Sequence, residues 1–349
     1  MGPEAFDYAL PPEQIAQAPA GRRGDARMLV CTGLAPVHAH ARDLVAHLPP
    51  DALVVVNASR VVPARLHATR DDGRSFELLL CDPSPAQVPG AMVRAWVRGA
   101  KKLRPGQLLR AGTLRLRHEG PDEVDPRARR FVVEEGRVLP ALHEHGEVPL
   151  PPYIARPKGP EPEDRERYQT VYAADEGSVA APTAGLHLEP AVLAQLDLVE
   201  LLLHVGPGTF LPMEAADVRE HRVGAERIEL TVESAARIEA ARAVGRPIVA
   251  VGTTTTRALE GIAAAHHGRL PATFGTTDLV ITPGFRFQVV THLLTNFHLP
   301  RSSLLMLVCA LAGREPVLGW YDAAVREGYR FYSYGDCMLL SRAEPGSLP

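Results

Sequence analysis

The sequence predicts an α/β protein with a largely parallel sheet, into which a small all-β module is inserted. Three observations carry that expectation. After Tyr168, apolar strand-like runs alternate with helical ones, the pattern of a sheet with helices packed on it. From about His67 to Val148 the chain instead offers short, often alternating segments (SFELLLC, AMVRAWV, TLRLRH, RFVVEEG). Turn residues split them at close intervals and no helical period of useful length appears, which reads as a barrel or sandwich. The module is entered after Pro63-Ala64-Arg65-Leu66 and left at Pro149-Leu150-Pro151-Pro152, as an insertion would be. The expected division is 1–66 with 149–349 for the α/β domain and 67–148 for the insertion.

The elements follow in order. Met28–Cys31 reads as a strand after the polar loop Gly21–Arg27, and Leu53–Asn57 (LVVVN) as a fully buried one. Residues 155–170 are Pro-rich and charged, a surface or mobile loop able to order on a partner. Ser178–Ala181 is expected as a short strand before the turn PTAGLH, with a helix beginning near Pro190. Leu198–Val205 is a strand running into GPGTF. A helix covers roughly Val232 to Val244 with Thr231 as its cap. Ile248–Val251 is a strand followed by GTTTT and a helix from Arg257 to about His266, and Asp278–Ile281 is the next strand. The run Leu304–Ala312 is apolar all round and predicts a buried helix, with Ser302 as its cap and Gly313 at its end.

Composition bounds the class. The chain has 349 residues, 46% hydrophobic and 23% charged, which suits a soluble globular protein of two domains. The longest apolar run is far short of the ~20 residues of a membrane span. The N-terminus lacks the basic flank and apolar core of a signal peptide. Cys31, Cys81, Cys309 and Cys337 are far apart, form no CxxC pair and show no zinc-type spacing. A cytoplasmic protein with reduced thiols and no metal is expected. Net charge is −3, yet Arg94 to Arg117 holds eight basic residues, Arg94, Arg98, Lys101, Lys102 and Arg104 among them, and no acid. Such a stripe suits either a phosphate backbone or the solvated face of a β-module.

Several strands run out into Gly, Pro, Thr or His: PTAGLH, VGPGTF, GTTTT and TPGFRF. Open α/β sheets bind ligands beyond the carboxyl ends of their strands. Glycine lets a ligand approach the backbone, and threonine offers a hydroxyl without charge. The set carries His187, His204 and His298. Each piece also has a plainer reading: GTTTT as a helix cap, His204 as a satisfied core histidine, and His221 and Glu226 as a solvated polar segment. Neither a P-loop nor a G-x-G-x-x-G register is present.

The longer motifs GSVAAPTAGLH (Gly177–His187), LHVGPGTF (Leu203–Phe210), VGTTTTRALE (Val251–Glu260), TNFHLPRSSLLMLV (Thr295–Val308) and YRFYSYGDCMLL (Tyr329–Leu340) resemble those of the S-adenosylmethionine:tRNA ribosyltransferase-isomerases of queuosine synthesis. So do FDYALPPEQIAQAP, VVVNASRVVPARL and PLPPYI, and the likeness runs along essentially the whole chain. The resemblance implies an α/β catalytic domain with an inserted β-barrel. It implies S-adenosylmethionine as ribosyl donor and co-substrate, without a prosthetic group. The implied acceptor is 7-aminomethyl-7-deazaguanine at the wobble position of a tRNA anticodon, and the products are epoxyqueuosine-tRNA, adenine and methionine. His187, His204, His298, Glu226 and Asp278 are the candidates for proton transfer. Thr183, Gly185, Gly206, Gly208, Thr253, Thr254 and Asn296 would hold the adenosyl and amino-acid parts. Arg94, Arg98, Lys101, Lys102 and Arg104, with Arg22 and Arg23, would meet tRNA phosphates. A monomer off the membrane is expected. Ala58, Gly224, Thr291 and Leu188 depart from the residues usual in that family. A tRNA methyltransferase and a non-catalytic RNA-binding protein are the competing readings.

Overall fold

The computed structural model describes residues 2–33, 35–210 and 217–343. Its strands are β1 (Arg27–Cys31), β2 (Val37–His40), β3 (Leu53–Asn57), β4 (Ser59–Val61), β5 (Arg65–Arg70), β6 (Ser75–Leu80), β7 (Met92–Arg98), β8 (Leu108–Ala111) and β9 (Leu114–Pro121). They continue with β10 (Ala128–Glu135), β11 (Asp175–Ser178), β12 (Asp197–Leu203), β13 (Glu226–Leu230), β14 (Ile248–Val251), β15 (Thr273–Thr277), β16 (His292–Asn296) and β17 (Cys337–Ser341). A nine-stranded sheet has the order β15-β13-β12-β3-β14-β16-β17-β1-β2, and β4 pairs with β11 in a small separate sheet.

The large sheet is mixed, which corrects the expectation of a largely parallel one. β12, β3, β14 and β16 form a parallel run, and β17 is parallel to β1. The other four neighbouring pairs are antiparallel. The reason lies in the connections, since a parallel pair needs a crossover to the starting end. Between β16 and β17 lie two helices, Ser303–Ala312 and Arg314–Arg326, bent by 117° at Gly313. The pair returns the chain to the end it left, so β17 runs against β16.

Core residues lie on both faces of the sheet. Leu53 and Val55 of β3 join the cluster under helices Val232–Ala243, Thr253–Ala265 and Ser303–Ala312, while Val54 and Val56 join a cluster with Leu44, Ala184, Leu188 and Val192 on the other face. Burial on both faces is why LVVVN reads as a continuous apolar run. The caps fall where expected: Ser302 Oγ accepts from Leu305 N, and Thr231 Oγ1 accepts from Ser234 N.

A separate antiparallel sheet holds β5 to β10 in the order β10-β7-β6-β5-β8-β9, and β9 pairs back onto β10. Alternating residues such as Leu66, Ala68, Phe76, Leu78, Leu114, Leu116, Phe131 and Val133 form its core. Helix Val138–His145 packs its Val138, Ala141 and Leu142 into the same cluster. That helix corrects the expectation of no helix between 67 and 148; two turns are too short for a periodic signal.

Other boundaries differ as well. Asp278–Ile281 is not a strand; the preceding TFGTT is, pairing with β13 as an edge of the large sheet. The strand expected at Ser178–Ala181 ends at Ser178. The helix expected from Arg257 begins at Thr253, so the threonines are its first turn. Thr295 and Asn296 end the buried strand β16. The loop at 155–170 is fastened: Arg156 forks onto Asp164, which also accepts from the Tyr334 hydroxyl at 3.2 Å.

Candidate active site

β12, β14 and β16 run in one direction, so their carboxyl ends share one edge of the sheet. A cavity opens there, with about 650 Å³ of empty space including its mouth. After β12 it is lined by Val205, Thr209 and Phe210; after β14 by Gly252, Thr253, Thr254 and Arg257; at the end of β16 by Thr295 and Asn296, and just after it by His298. Thr183 and Ala184 reach it from the PTAGLH turn. Five predicted site residues, Thr183, Thr253, Thr254, Asn296 and His298, therefore meet in one place.

Asn296 sets the polar geometry. Its Nδ2 donates to the Tyr332 carbonyl at 3.0 Å and to His187 Nε2 at 2.9 Å. A carbonyl can only accept, so the amide orientation is fixed and His187 Nε2 must be unprotonated. Burial agrees, with minor help from Arg330 and Arg23, lowering the His187 pKa to about 4. Asn296 Oδ1 is left buried and, among the described residues, without a partner. His187 thus stands behind Asn296 and orients it.

His298 lines the cavity itself. Burial lowers its pKa to about 3, so the ring is neutral at ordinary pH. Its Nε2 is 2.9 Å from Thr295 Oγ1, which leaves Nδ1 as the nitrogen able to meet a substrate. The backbone around it is held by Tyr321, whose hydroxyl accepts from His298 N at 3.1 Å, and by the Tyr8 hydroxyl, which donates to its carbonyl.

Glu226 has both oxygens engaged. Oε1 accepts from Gly206 N at 3.0 Å, and Oε2 takes Arg257 Nη1 at 2.5 Å in a buried ion pair. Gly206 thus contributes through its amide. Four other expectations fall away from the cavity. His204 sits by Gly177 and Arg227, its Nδ1 unpartnered, with burial and then Arg227 lowering its pKa to about 4. Asp278 and Gly208 are exposed and do not line the cavity. Gly185 is packed under Tyr172, whose hydroxyl would be 1.9 Å from an added Cβ, so it serves close packing. Ala58 is buried, Gly224 exposed, and Thr291 Oγ1 bridges the backbone of Ile248; with Leu188, they lie outside the lining.

Sequence reasoning missed Arg257, Tyr153, Tyr168, Tyr332 and Ser333, all lining residues. Arg257 stands one helical turn after Thr253, on the face the capping turn presents, which is a readable signal. Tyr332 has φ 75, a conformation that costs a non-glycine residue about 1–3 kcal/mol. It is held there by its N–H on the Phe297 carbonyl and its own carbonyl on Asn296. Its ring meets Tyr153 edge-on at 3.8 Å.

Of the basic residues, Arg94 turns onto Asp82 at 3.1 Å, and Arg115 and Arg117 pair with glutamates. Arg98 stands 3.8 Å from Glu77 yet is 85% exposed, and Lys101, Lys102 and Arg104 are also exposed. Arg23 is tied to the carbonyls of Leu186 and Glu166, while Arg22 is exposed. No single helix among the described residues is long and apolar enough to cross a membrane.

A mainly apolar cavity at the carboxyl edge of an α/β sheet, carrying a neutral histidine and a few polar groups that lack partners among the described residues, defines an enzyme-type binding site. Residues 3–340 match the family described as queuosine biosynthesis protein. The S-adenosylmethionine:tRNA ribosyltransferase-isomerases of Nitratidesulfovibrio vulgaris (strain DP4) and Moorella thermoacetica are each 46% identical to this chain. The alignments cover 96% of both chains for the first, and 97% of this chain and 99% of the relative for the second. The crystal structure of S-adenosylmethionine tRNA ribosyltransferase from Thermotoga maritima matches with a TM-score of 0.52 and 33% identity, over 96% of this chain and 99% of that one. The chain belongs to the S-adenosylmethionine:tRNA ribosyltransferase-isomerase family of queuosine biosynthesis.

Proposed function

We propose that the chain transfers and isomerises the ribosyl group of S-adenosylmethionine onto 7-aminomethyl-7-deazaguanine at the tRNA wobble position, leaving epoxyqueuosine-tRNA, adenine and methionine. The observation that carries this reading is full-length identity of 46% to proteins of that activity, together with a cavity at the sheet edge that brings the strand-end motifs together. The sulfonium acidifies the adjacent ribose methylene, so a base can take a proton there and leave an ylide-like carbanion. Loss of adenine, attack of the exocyclic amine on the sugar and departure of methionine with closure of the epoxide complete the balance.

Within the cavity, His298 is the proton-transfer residue this reading favours, because it is neutral, buried and presents Nδ1. Asn296 Oδ1 holds a donor group of the substrate, and His187 keeps the amide in register. Glu226 holds Arg257 rather than acting as a base. The enclosing tyrosines Tyr153, Tyr168 and Tyr332 exclude water from a reactive carbanion.

The six-stranded sheet is read as a closed β-barrel forming a domain of residues 67–148, which the pairing of β9 with β10 supports. Arg98, Lys101, Lys102 and Arg104 on that module meet phosphates of the tRNA anticodon region, while Arg94 supports the fold. The chain acts as a cytoplasmic monomer.

Product analysis tests the reading. With ribose-labelled S-adenosylmethionine and tRNA bearing the aminomethyl-deazaguanine, the expected outcome is free adenine and methionine with label in tRNA. S-adenosylhomocysteine would establish methyl transfer instead. Binding of tRNA without turnover would leave an RNA-binding protein.

A further inference from the structure

Arg257 is the one cavity-lining cation whose hydrogen bonding is incomplete among the described residues. Nη1 is held by Glu226 Oε2 at 2.5 Å and Nε donates to the Leu279 carbonyl at 2.9 Å, yet Nη2 is buried with no partner. The residue is 6% exposed. An unsatisfied charged donor in such a place is costly, and a group retained there has a partner in the working state. Two further donors lie on the same wall. Helix Thr253–Ala265 points its N-terminus at the cavity, and no side chain caps its first amides. Thr254 Oγ1, in that first turn, is also buried and unpartnered. A helix N-terminus with an unused guanidinium nitrogen one turn away is a receptor for an anion. Asn296 Oδ1, an unpartnered acceptor on the same cavity, adds the complementary polarity for a cation.

From this we infer that Arg257 Nη2 and the N-terminus of helix Thr253–Ala265 bind the α-carboxylate of the donor's methionine moiety, making Arg257 a specificity residue for an amino-acid-bearing sulfonium. The inference rests on the ribosyl-transfer reading. Glu226 then serves two ends. It neutralises the buried guanidinium and, through Gly206 N, fixes the face that Arg257 presents. The carboxylate also tethers the sulfonium at one end, so the ribose methylene is set by the length of the amino-acid chain.

The test compares two donors, S-adenosylmethionine and decarboxylated S-adenosylmethionine, in adenine release with tRNA carrying the aminomethyl base. Wild type, Arg257→Gln and Arg257→Lys are measured, each with its melting temperature. Arg257→Lys keeps a cation beside Glu226 and removes the second planar donor, so it serves where the glutamine variant does not fold. The expected result is a drop in kcat/KM for S-adenosylmethionine of roughly 10- to 150-fold, the range of a charge-assisted hydrogen bond. The decarboxylated donor, poor with wild type, should change less than about threefold, so discrimination between the two collapses. Equal losses on both donors would overturn the inference and leave Arg257 a structural residue. A rise in the KM for tRNA, with donor discrimination intact, would also overturn it and assign the guanidinium to a phosphate. No adenine from wild type with either donor would instead sink the ribosyl-transfer reading on which the inference stands.

Discussion

Asn296 shows how much one side chain can decide. Two acceptors, the Tyr332 carbonyl and His187 Nε2, fix its amide, and that bond in turn requires His187 to be unprotonated. Burial presses His187 and His298 the same way, to about 4 and about 3. Both folded values lie below the unfolded value near 6.5. Their neutral burial therefore contributes stability that is present above pH 6.5 and is lost as pH falls through the folded values. Each histidine should steepen the decline by about 1.4 kcal/mol per pH unit between roughly pH 6 and 4. Urea unfolding across that range checks it, with His187→Gln, which keeps an acceptor for Asn296, expected to show a shallower fall. An unchanged slope would mean that His187 is protonated in the folded protein. None of this is legible in the sequence, where His187, His204 and His298 look alike at three strand ends. What separates them is the neighbour each meets: the Asn296 amide, Arg227 and Gly177, and the cavity with Thr295.

Among the elements, the helix Ser303–Ala312 is legible in full because every signal agrees: an apolar run, a serine cap and a terminal glycine. Leu305 to Ala312 are all buried, and Gly313 at φ 90 ends one helix and starts the next. The Ser302 cap is worth testing alone. Ser302→Ala should lower stability by about 1 kcal/mol, within the usual range of about 0.5–2, measured by equilibrium denaturation. A loss below about 0.3 kcal/mol would show that packing of the apolar face makes the cap redundant. Where signals conflict, the sequence misplaces or omits elements. Thr273–Thr277 lacks an apolar pattern and becomes a strand only because β13 offers a paired edge, while the more apolar Leu279–Ile281 lends its backbone to Arg257 instead. Helix Val138–His145 is fixed by its packing against the six-stranded sheet.

For the molecule entire, an exposed basic stretch from Arg98 to Arg104 lies on the six-stranded module, and the cavity lies at the edge of the large sheet. Arg98, Lys101, Lys102 and Arg104 changed together to alanine should weaken tRNA binding and flatten its dependence on log salt by about 0.7–0.9 for each phosphate no longer neutralised. S-adenosylmethionine binding should stay unchanged. Filter binding at several salt concentrations reads the slope, and an unaltered slope would place the tRNA elsewhere. Arg94, Arg115 and Arg117 should contribute little to that slope, since each is held by a carboxylate at 3.1 Å or closer, whereas Arg98 stands 3.8 Å from Glu77 and is 85% exposed. Hydrophobic period, turn residues and caps are local, so the chain alone sufficed for the α/β class, a separate run of short antiparallel strands, the buried helix after residue 302 and the strand-end turns that supply the cavity. Strand direction came only with the folded molecule, because it depends on whether a connection crosses the sheet, and with it came the mixed order of the nine strands. The same holds for the polar atoms left without partners. Their fate is set by neighbours far apart in sequence, such as Glu226 for Arg257 and Tyr332 for Asn296, and it picks the chemical groups of the site out of a chain rich in similar ones.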